Sequence, residues 1–197
     1  MKNQQKVWDK IAEDWSKFRK KPRKEILKFL KEQSGKILDL GSGSGRNLIK
    51  LKNIKMYEVD FSKKMLEFGK QKAEQQKINA EFIQAPANKL PFKKEFFDAG
   101  IYASSLHCLN SEVERKQSLK ELFRVLKKGA QAYVSVWDFN SKRFGGKKQR
   151  KINWRNKGIR YYYFYEKKEL EHLLKSNGFK IIKQIPDKDN IIFIIEK

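Results

Sequence analysis

The chain has 197 residues, enough for one domain with a single sizeable core. Lys and Arg number 46 against 23 acidic residues, a formal net charge of +23. This excludes an acidic solvating module and makes polyanions the first partners to consider, with compositional bias as the rival source of the charge.

In chain order, Val7, Trp8, Ile11, Trp15 and Phe18 recur at helical spacing and predict an amphipathic helix. This opening is charged and holds no apolar leader, and no later run approaches the roughly 20 apolar residues of a membrane span, so no membrane association is expected. After Pro22, Ile26 to Leu30 marks a second helix ending near Gly35. Lys36 to Leu40 is a short apolar strand, followed by a predicted helix from Arg46 to Leu51. A strand from Met56 to Asp60 leads to a helix from Ser62 to Gln76, with Ser62 as its N-cap. Ala80 to Gln84 and Phe97 to Ala103 read as strands, Ser111 to Leu126 as a helix, and Gln131 to Trp137 as a strand. Glu166 to Asn177 is the last helix, and Phe179 to Ile185 and Asn190 to Ile195 are apolar runs joined by a turn that allows only antiparallel pairing. The alternation predicts one α/β domain over 1–197, a Rossmann-like, mostly parallel seven-stranded sheet ending in an antiparallel hairpin, with helices on both faces. N-terminal helices occupy 1–35.

Residues 139–160 form a basic insert. Between Phe139 and Tyr165 there is no acid, while cations from Lys142 to Arg160 alternate with aromatic residues. Cys108 is the only cysteine, and His107 and His172 are the only histidines. No internal disulfide and no metal cluster is therefore expected, and a reducing, cytoplasmic setting follows.

The strongest chemical signal is Ile37-Leu38-Asp39-Leu40-Gly41-Ser42-Gly43-Ser44-Gly45, a strand running into a glycine-rich turn, with Asp60 at the tip of the next strand. Glycines let the backbone approach a ligand, and an acid at that tip accepts ribose hydroxyls, as any nucleotide-bearing cofactor requires. The G-x-G-x-G spacing and Asp39 just before the loop suit a cofactor that carries an ammonium group instead of a pyrophosphate. This segment resembles motif I of the class I S-adenosylmethionine-dependent methyltransferases. Lys89-Leu90-Pro91-Phe92 with Phe96-Phe97-Asp98, and the strand after Leu126-Lys127-Lys128-Gly129, are similar to other signatures of that superfamily. The resemblance implies S-adenosyl-L-methionine as cofactor. Its methionine end would be held by Asp39 and the loop residues Gly41, Ser42, Gly43 and Gly45, its ribose by Asp60 beside Phe61, and its adenine by Ala87 and Asn88. Pro86 stands where the superfamily commonly has an acid.

A closer likeness runs through most of the chain. Trp15-Ser16, Arg19 to Pro22, Ser104 to His107, Val136-Trp137, and Arg160-Tyr161-Tyr162-Tyr163-Phe164-Tyr165 with Glu169-Leu170 resemble the tRNA wobble-uridine carboxymethyl methyltransferases. Tyr163 replaces a histidine of that pattern, Arg23 a tryptophan, and Cys108 the second of two histidines. Paired prolines of the exocyclic-amine methylases are absent, and Cys108 lies in His-Cys-Leu, unlike a pyrimidine C5 nucleophile. A carboxylate acceptor needs no base, only a cation and donors to aim it.

On this likeness Arg160 and Tyr161 would grip the acceptor and His107 would orient it. The rival reading makes the tyrosines one buried strand face, on which Arg160 is too costly to bury unpaired. Arg19, Lys21, Lys147, Lys148, Arg150, Lys151, Trp154 and Arg155 would contact the anticodon stem-loop of tRNA, the alternative being a solvated disordered loop. The likeness also implies a small zinc-binding activator, forming a heterodimer along a free sheet edge at Ala80 to Gln84. A small-molecule methyltransferase and an RNA-binding protein on a degenerate fold are the alternative functions.

Overall fold

A computed structural model describes residues 2–18, 20–143 and 147–197. In chain order its elements are α1 (Lys2–Phe18), α2 (Lys24–Lys31), β1 (Gly35–Leu40), β2 (Ile54–Asp60), α3 (Lys63–Gln76), β3 (Ala80–Gln84) and β4 (Phe97–Ala103), then a short 3-10 turn (Leu106–Cys108) and α4 (Glu112–Val125). They continue with β5 (Leu126–Trp137), β6 (Gln149–Asn153), β7 (Ile159–Tyr163), α5 (Lys167–Ser176), β8 (Lys180–Ile185) and β9 (Asn190–Glu196).

Seven strands make one sheet in the order β3-β2-β1-β4-β5-β9-β8. Pairing is parallel from β3 through β5, whereas β9 runs antiparallel to both β5 and β8, so the predicted final hairpin is present. β1 lies between β2 and β4, and its alternate residues face two cores. Leu38 and Leu40 pack with Tyr57, Val59, Leu119 and Leu122 on one side. Ile37 packs with Ile26, Leu30, Met56 and Ile101 on the other. Burial on both faces explains why the parallel strands read as continuous apolar runs.

Capping agrees with the sequence. The Ser62 hydroxyl accepts from the Met65 amide at 3.2 Å, and Ser111 with Glu114 forms a capping box at α4. No helix among the described residues is long and apolar enough to cross a membrane.

One expectation is corrected. Residues 46–51 form a turn followed by irregular backbone, not a helix. The Gly45 carbonyl accepts from the Leu48 amide at 3.3 Å and from the Lys72 ammonium at 2.7 Å, so it is taken by a turn and a side chain instead of an i+4 amide. Within the basic insert, β6 and β7 pair as a separate antiparallel hairpin with Arg150 opposite Tyr162 and Ile152 opposite Arg160, against the alternative of a solvated loop for these residues.

Candidate active site

The C-terminal ends of β1, β2 and β4 meet where the strand order reverses, the place where open α/β sheets bind ligands. The glycine turn leaving β1 wraps this end. Gly41 adopts φ +70° and donates to the Val59 carbonyl at 2.7 Å, and an added Cβ would lie 1.8 Å from Ser105 Oγ. Asp60 closes β2 with both oxygens engaged, one accepting from the Gly43 amide at 2.9 Å and the other from the Ser62 amide at 2.8 Å. Burial pushes its carboxyl up to about 6 against the pull of these bonds.

Two adjoining cavities with Gly41, Asp60, Phe61, Ser105 and Cys108 in common form one cleft. One part, about 550 Å³, has a largely apolar lining that includes Phe61, Pro86, Ala87 and Leu109 beside Asp60. The other, about 740 Å³, runs over Ser42, Gly43 and Asn47 to Trp8 and Trp15. Ser42 Oγ and Asn47 Oδ1 are buried there without hydrogen-bond partners. A flat apolar slot, a carboxylate at the ribose position and orphaned polar atoms beyond it fit adenosine joined to an amino-acid tail, so these residues suit S-adenosylmethionine.

Of the cofactor residues expected from sequence, Gly41, Ser42, Gly43, Asp60, Phe61 and Ala87 line the cleft. Three do not. Asp39 is buried behind Asn47, whose amide donates to it at 3.1 Å, and burial lifts its carboxyl to about 7. Gly45 packs instead: its Cβ would meet Leu48 at 2.4 Å and the Gly69 backbone at 3.1 Å. Asn88 sits beyond Ala87 in a turn closed by the Lys89 amide on the Pro86 carbonyl.

Glu58 escaped the sequence reading. It is fully buried, opposite Asp39 in the β1–β2 register, and neither carboxylate oxygen has a partner. Burial and the Asp39 charge hold its carboxyl well above the usual range, with Lys72 the nearest compensating cation. Its place two residues before Asp60, on the same strand face, was the available signal.

The roof is α1, which sequence identified as a helix but not as part of the site. Trp8 and Trp15 line the cleft. Asp9 accepts from the Ser62 hydroxyl at 2.6 Å, and Asp14 pairs with Lys157 at 3.0 Å. The Gln4 amide bridges β7, donating to the Ile159 carbonyl and accepting from the Tyr161 amide, both at 3.1 Å.

A further chamber of about 620 Å³ shares Trp8, Trp15, Arg23, Arg46 and Ser104 with the cleft and extends to His107, Trp137 and Tyr162. Its wall is a stack of rings, Trp137 on Tyr162 at 4.4 Å and His107 on Trp137 at 4.9 Å. Burial pushes the His107 imidazole down to about 3, so it is neutral, and Nδ1 accepts from the Trp137 amide at 3.1 Å. That bond assigns the proton to Nε2, which is buried and otherwise without a partner. His107 thus stands in the chamber wall with this N–H as a donor.

Arg160 and Tyr161 are not brought to this chamber. Arg160 is only 5 % exposed, and its guanidinium lies 4.8 Å from the Trp154 ring, 5.1 Å from Tyr162, 5.5 Å from Trp15 and 5.7 Å from Trp8. It donates to the Tyr162 hydroxyl and has no carboxylate within ion-pair distance among the described residues. Ring faces stand where a carboxylate was expected, which makes burial of this cation tolerable. Tyr161 lines outer grooves with Lys147, Arg150 and Lys151. Tyr163 and Tyr165 follow the buried-face reading, with Tyr163 donating to Glu169.

Two expected RNA contacts are spent internally. Lys148 pairs with Glu166 at 3.0 Å and Glu169 at 2.7 Å, and Trp154 packs on Trp15 and Phe18 while donating to Asp14. Arg155 is exposed and 3.9 Å from Asp14, and Lys21, Lys147 and Lys151 face solvent. Arg19 lies outside the described residues. Burial raises the Cys108 thiol to about 12, and its Sγ lies 3.7 Å from the Ser104 carbonyl, to which it donates.

Comparison with known proteins agrees with this geometry. A family model described as a methyltransferase domain matches residues 38–134. An Arabidopsis thaliana tRNA (carboxymethyluridine(34)-5-O)-methyltransferase is 33% identical over 134 residues, 67% of this chain but 32% of that protein, so the chain spans about a third of its length. A Schizosaccharomyces pombe protein of the same name is 27% identical over 97% of this chain and 94% of its own. A Geotalea daltonii ubiquinone/menaquinone biosynthesis C-methyltransferase is 31% identical over 68% of this chain and 55% of its own. Among solved structures, the CcbJ methyltransferase of Streptomyces caelestis superposes with a TM-score of 0.80 over 97% of both chains at 16% identity, a likeness of fold.

Proposed function

This chain belongs to the class I S-adenosylmethionine-dependent methyltransferases, and we propose that it methylates the carboxylate of 5-carboxymethyluridine at the wobble position of tRNA. The observation that carries the reading is the ring-walled chamber opening onto the cofactor cleft, lined by arginines and a neutral histidine donor, with one carboxylate, Asp189, that accepts from the Ser141 hydroxyl. A pyrimidine has the size to lie in the ring-walled chamber, and a carboxylate finds cations and the His107 Nε2 proton there. The two relatives named for this reaction add support.

Bound S-adenosyl-L-methionine supplies an electrophilic methyl on a sulfonium. Transfer of that methyl to an ionised carboxylate would release the neutral thioether and would need no proton to move. The chain's own residues therefore align and exclude water instead of performing acid-base work. Trp8 and Trp15 roof the cleft, Asp60 and the glycine turn fix the cofactor end, and His107 orients the acceptor.

Lys21, Lys147, Arg150, Lys151 and Arg155 are the proposed contacts to the anticodon stem-loop, on or near the grooves of the β6–β7 hairpin. The free edge of β3 is the proposed seat of a small zinc-binding activator, and the cytoplasm the proposed setting. A second reading, a small-molecule acceptor, is favoured by the match to the quinone-biosynthesis C-methyltransferase. Mass spectrometry of tRNA nucleosides after incubation with isotope-labelled cofactor decides between them. The proposal expects a labelled ester cleaved by mild base; a base-stable methyl, or none on tRNA, overturns it.

A further inference from the structure

Resting on the carboxylate reading above, we infer that Arg23 is the residue that takes the acceptor's anionic group, with Asp187 holding its guanidinium at the junction of the cofactor cleft and the acceptor chamber. Arg23 lines both cavities, so it stands where a methyl group leaving one would meet an acceptor held in the other. Nothing in the sequence pattern singled it out for this role, since the related enzymes carry a tryptophan at this place.

The guanidinium is anchored on one side only. Nη1 donates to Asp187 Oδ2 at 2.8 Å, and the Tyr133 hydroxyl lies close by. Asp187 is fixed in turn, because its other oxygen accepts from the Asp189 amide at 3.0 Å, the Asn190 amide at 2.8 Å and the Asn190 side chain at 2.7 Å. An arginine has five donors in a planar fork, and one bond to a rigid turn orients that fork without exhausting it. The Arg23 side chain keeps 29% of its exposure, so an incoming anion can reach it.

The competing cations are placed less well. Arg160 is enclosed by four rings and lines neither cavity. Arg46 lines both, but its Nε is committed to the Lys21 carbonyl at 2.9 Å, and Arg143 lines the chamber without reaching the cleft. Methylation turns the carboxylate into an uncharged ester, so a cation at this junction holds substrate and not product, which favours release.

The test is a titration of tryptophan fluorescence in the full chain saturated with S-adenosylhomocysteine. The probes are uridine-5-acetate, its methyl ester and phenylacetate. Wild type is expected to bind each acid ~10- to 100-fold more tightly than the ester binds, the range of a charge-assisted contact. Arg23→Gln should erase that preference, Arg23→Lys should keep part of it, and Asp187→Asn should weaken it less than Arg23→Gln. S-adenosylhomocysteine affinity and melting temperature, measured on each variant, separate loss of the anion contact from loss of fold. Arg23-dependent binding of phenylacetate without binding of uridine-5-acetate would keep the anion site and reject the carboxymethyluridine acceptor. Undiminished preference for the acids in a folded Arg23→Gln variant would overturn the inference itself.

Discussion

Replacing Glu58 by methionine should stabilise the cofactor-free protein, against the usual expectation for a change in a buried strand. Glu58 is fully enclosed beside Asp39, and neither of its oxygens is bonded. Methionine has a similar volume, leaves no orphaned polar atom and removes one of two adjoining acids, so the expected gain is about 1–3 kcal/mol at neutral pH. For a chain of this length that is a rise of ~3–10 °C in melting temperature. The sign with pH follows from proton uptake. Glu58 in the folded chain holds its proton to higher pH than in the unfolded chain, so its ionisation costs stability as pH climbs and costs nothing in acid, where both states are protonated. The advantage of Glu58→Met should therefore widen from pH 6 to pH 9. Glu58→Gln, which removes the charge but keeps an unpaired polar group, should gain less. Circular-dichroism melts of the three proteins at both pH values are sufficient. A variant less stable than wild type at pH 9, or a gap that does not change with pH, would refute the reasoning.

Further outcomes follow from the same geometry. Protonation of Asp60, at about 6, should weaken S-adenosylhomocysteine binding as pH falls from 8 to 5, measured by calorimetry, while leaving it flat above pH 8. Gly41→Ala should lower that affinity at least tenfold and cost ~1–3 kcal/mol of stability, because φ +70° and the Ser105 contact both oppose a side chain. With His107 neutral throughout, the pH profile of kcat should show no limb between pH 6 and 8, and His107→Gln should change the rate without introducing one. Converting Lys147 and Lys151 to glutamine should reduce the slope of log affinity for tRNA against log salt by about 1–2, with cofactor affinity unchanged; an unaltered slope would remove the hairpin from the RNA interface.

What was legible in the sequence is what depends on neighbours along the chain. Apolar runs at β1, β2, β4 and β5 announce strands buried on both faces, Ser62 and Ser111 announce helix starts, and the glycine turn with Asp60 announces the cofactor end. The errors share a cause in contacts between distant segments. Residues 46–51 have helical composition, yet Lys72 and the short span to β2 turn them away from a helix. The family likeness and the cost of burying it unpaired point to Arg160 as a grip on the acceptor, but Trp8 and Trp15 of α1 arrive from the far end of the chain and enclose it. Arg23 shows the converse, a residue whose place became visible only once the β8–β9 turn was seen against it.

The roof over the cleft sets a clock as well as a shape. Trp8 and Trp15 lie across the ligand space, and Gln4, Asp9 and Asp14 fasten their helix to β7, to the cap of α3 and to the hairpin loop. Release of a spent cofactor past this roof would need those fastenings to open, so lifting of the helix would set its residence time in the cleft. Such motions belong to microseconds and milliseconds, not to the nanoseconds of side-chain rearrangement. The same helix is bonded to the hairpin that bears the basic residues, so on the proposed tRNA reading an RNA lying on that hairpin would hold the roof down and delay exchange of the cofactor.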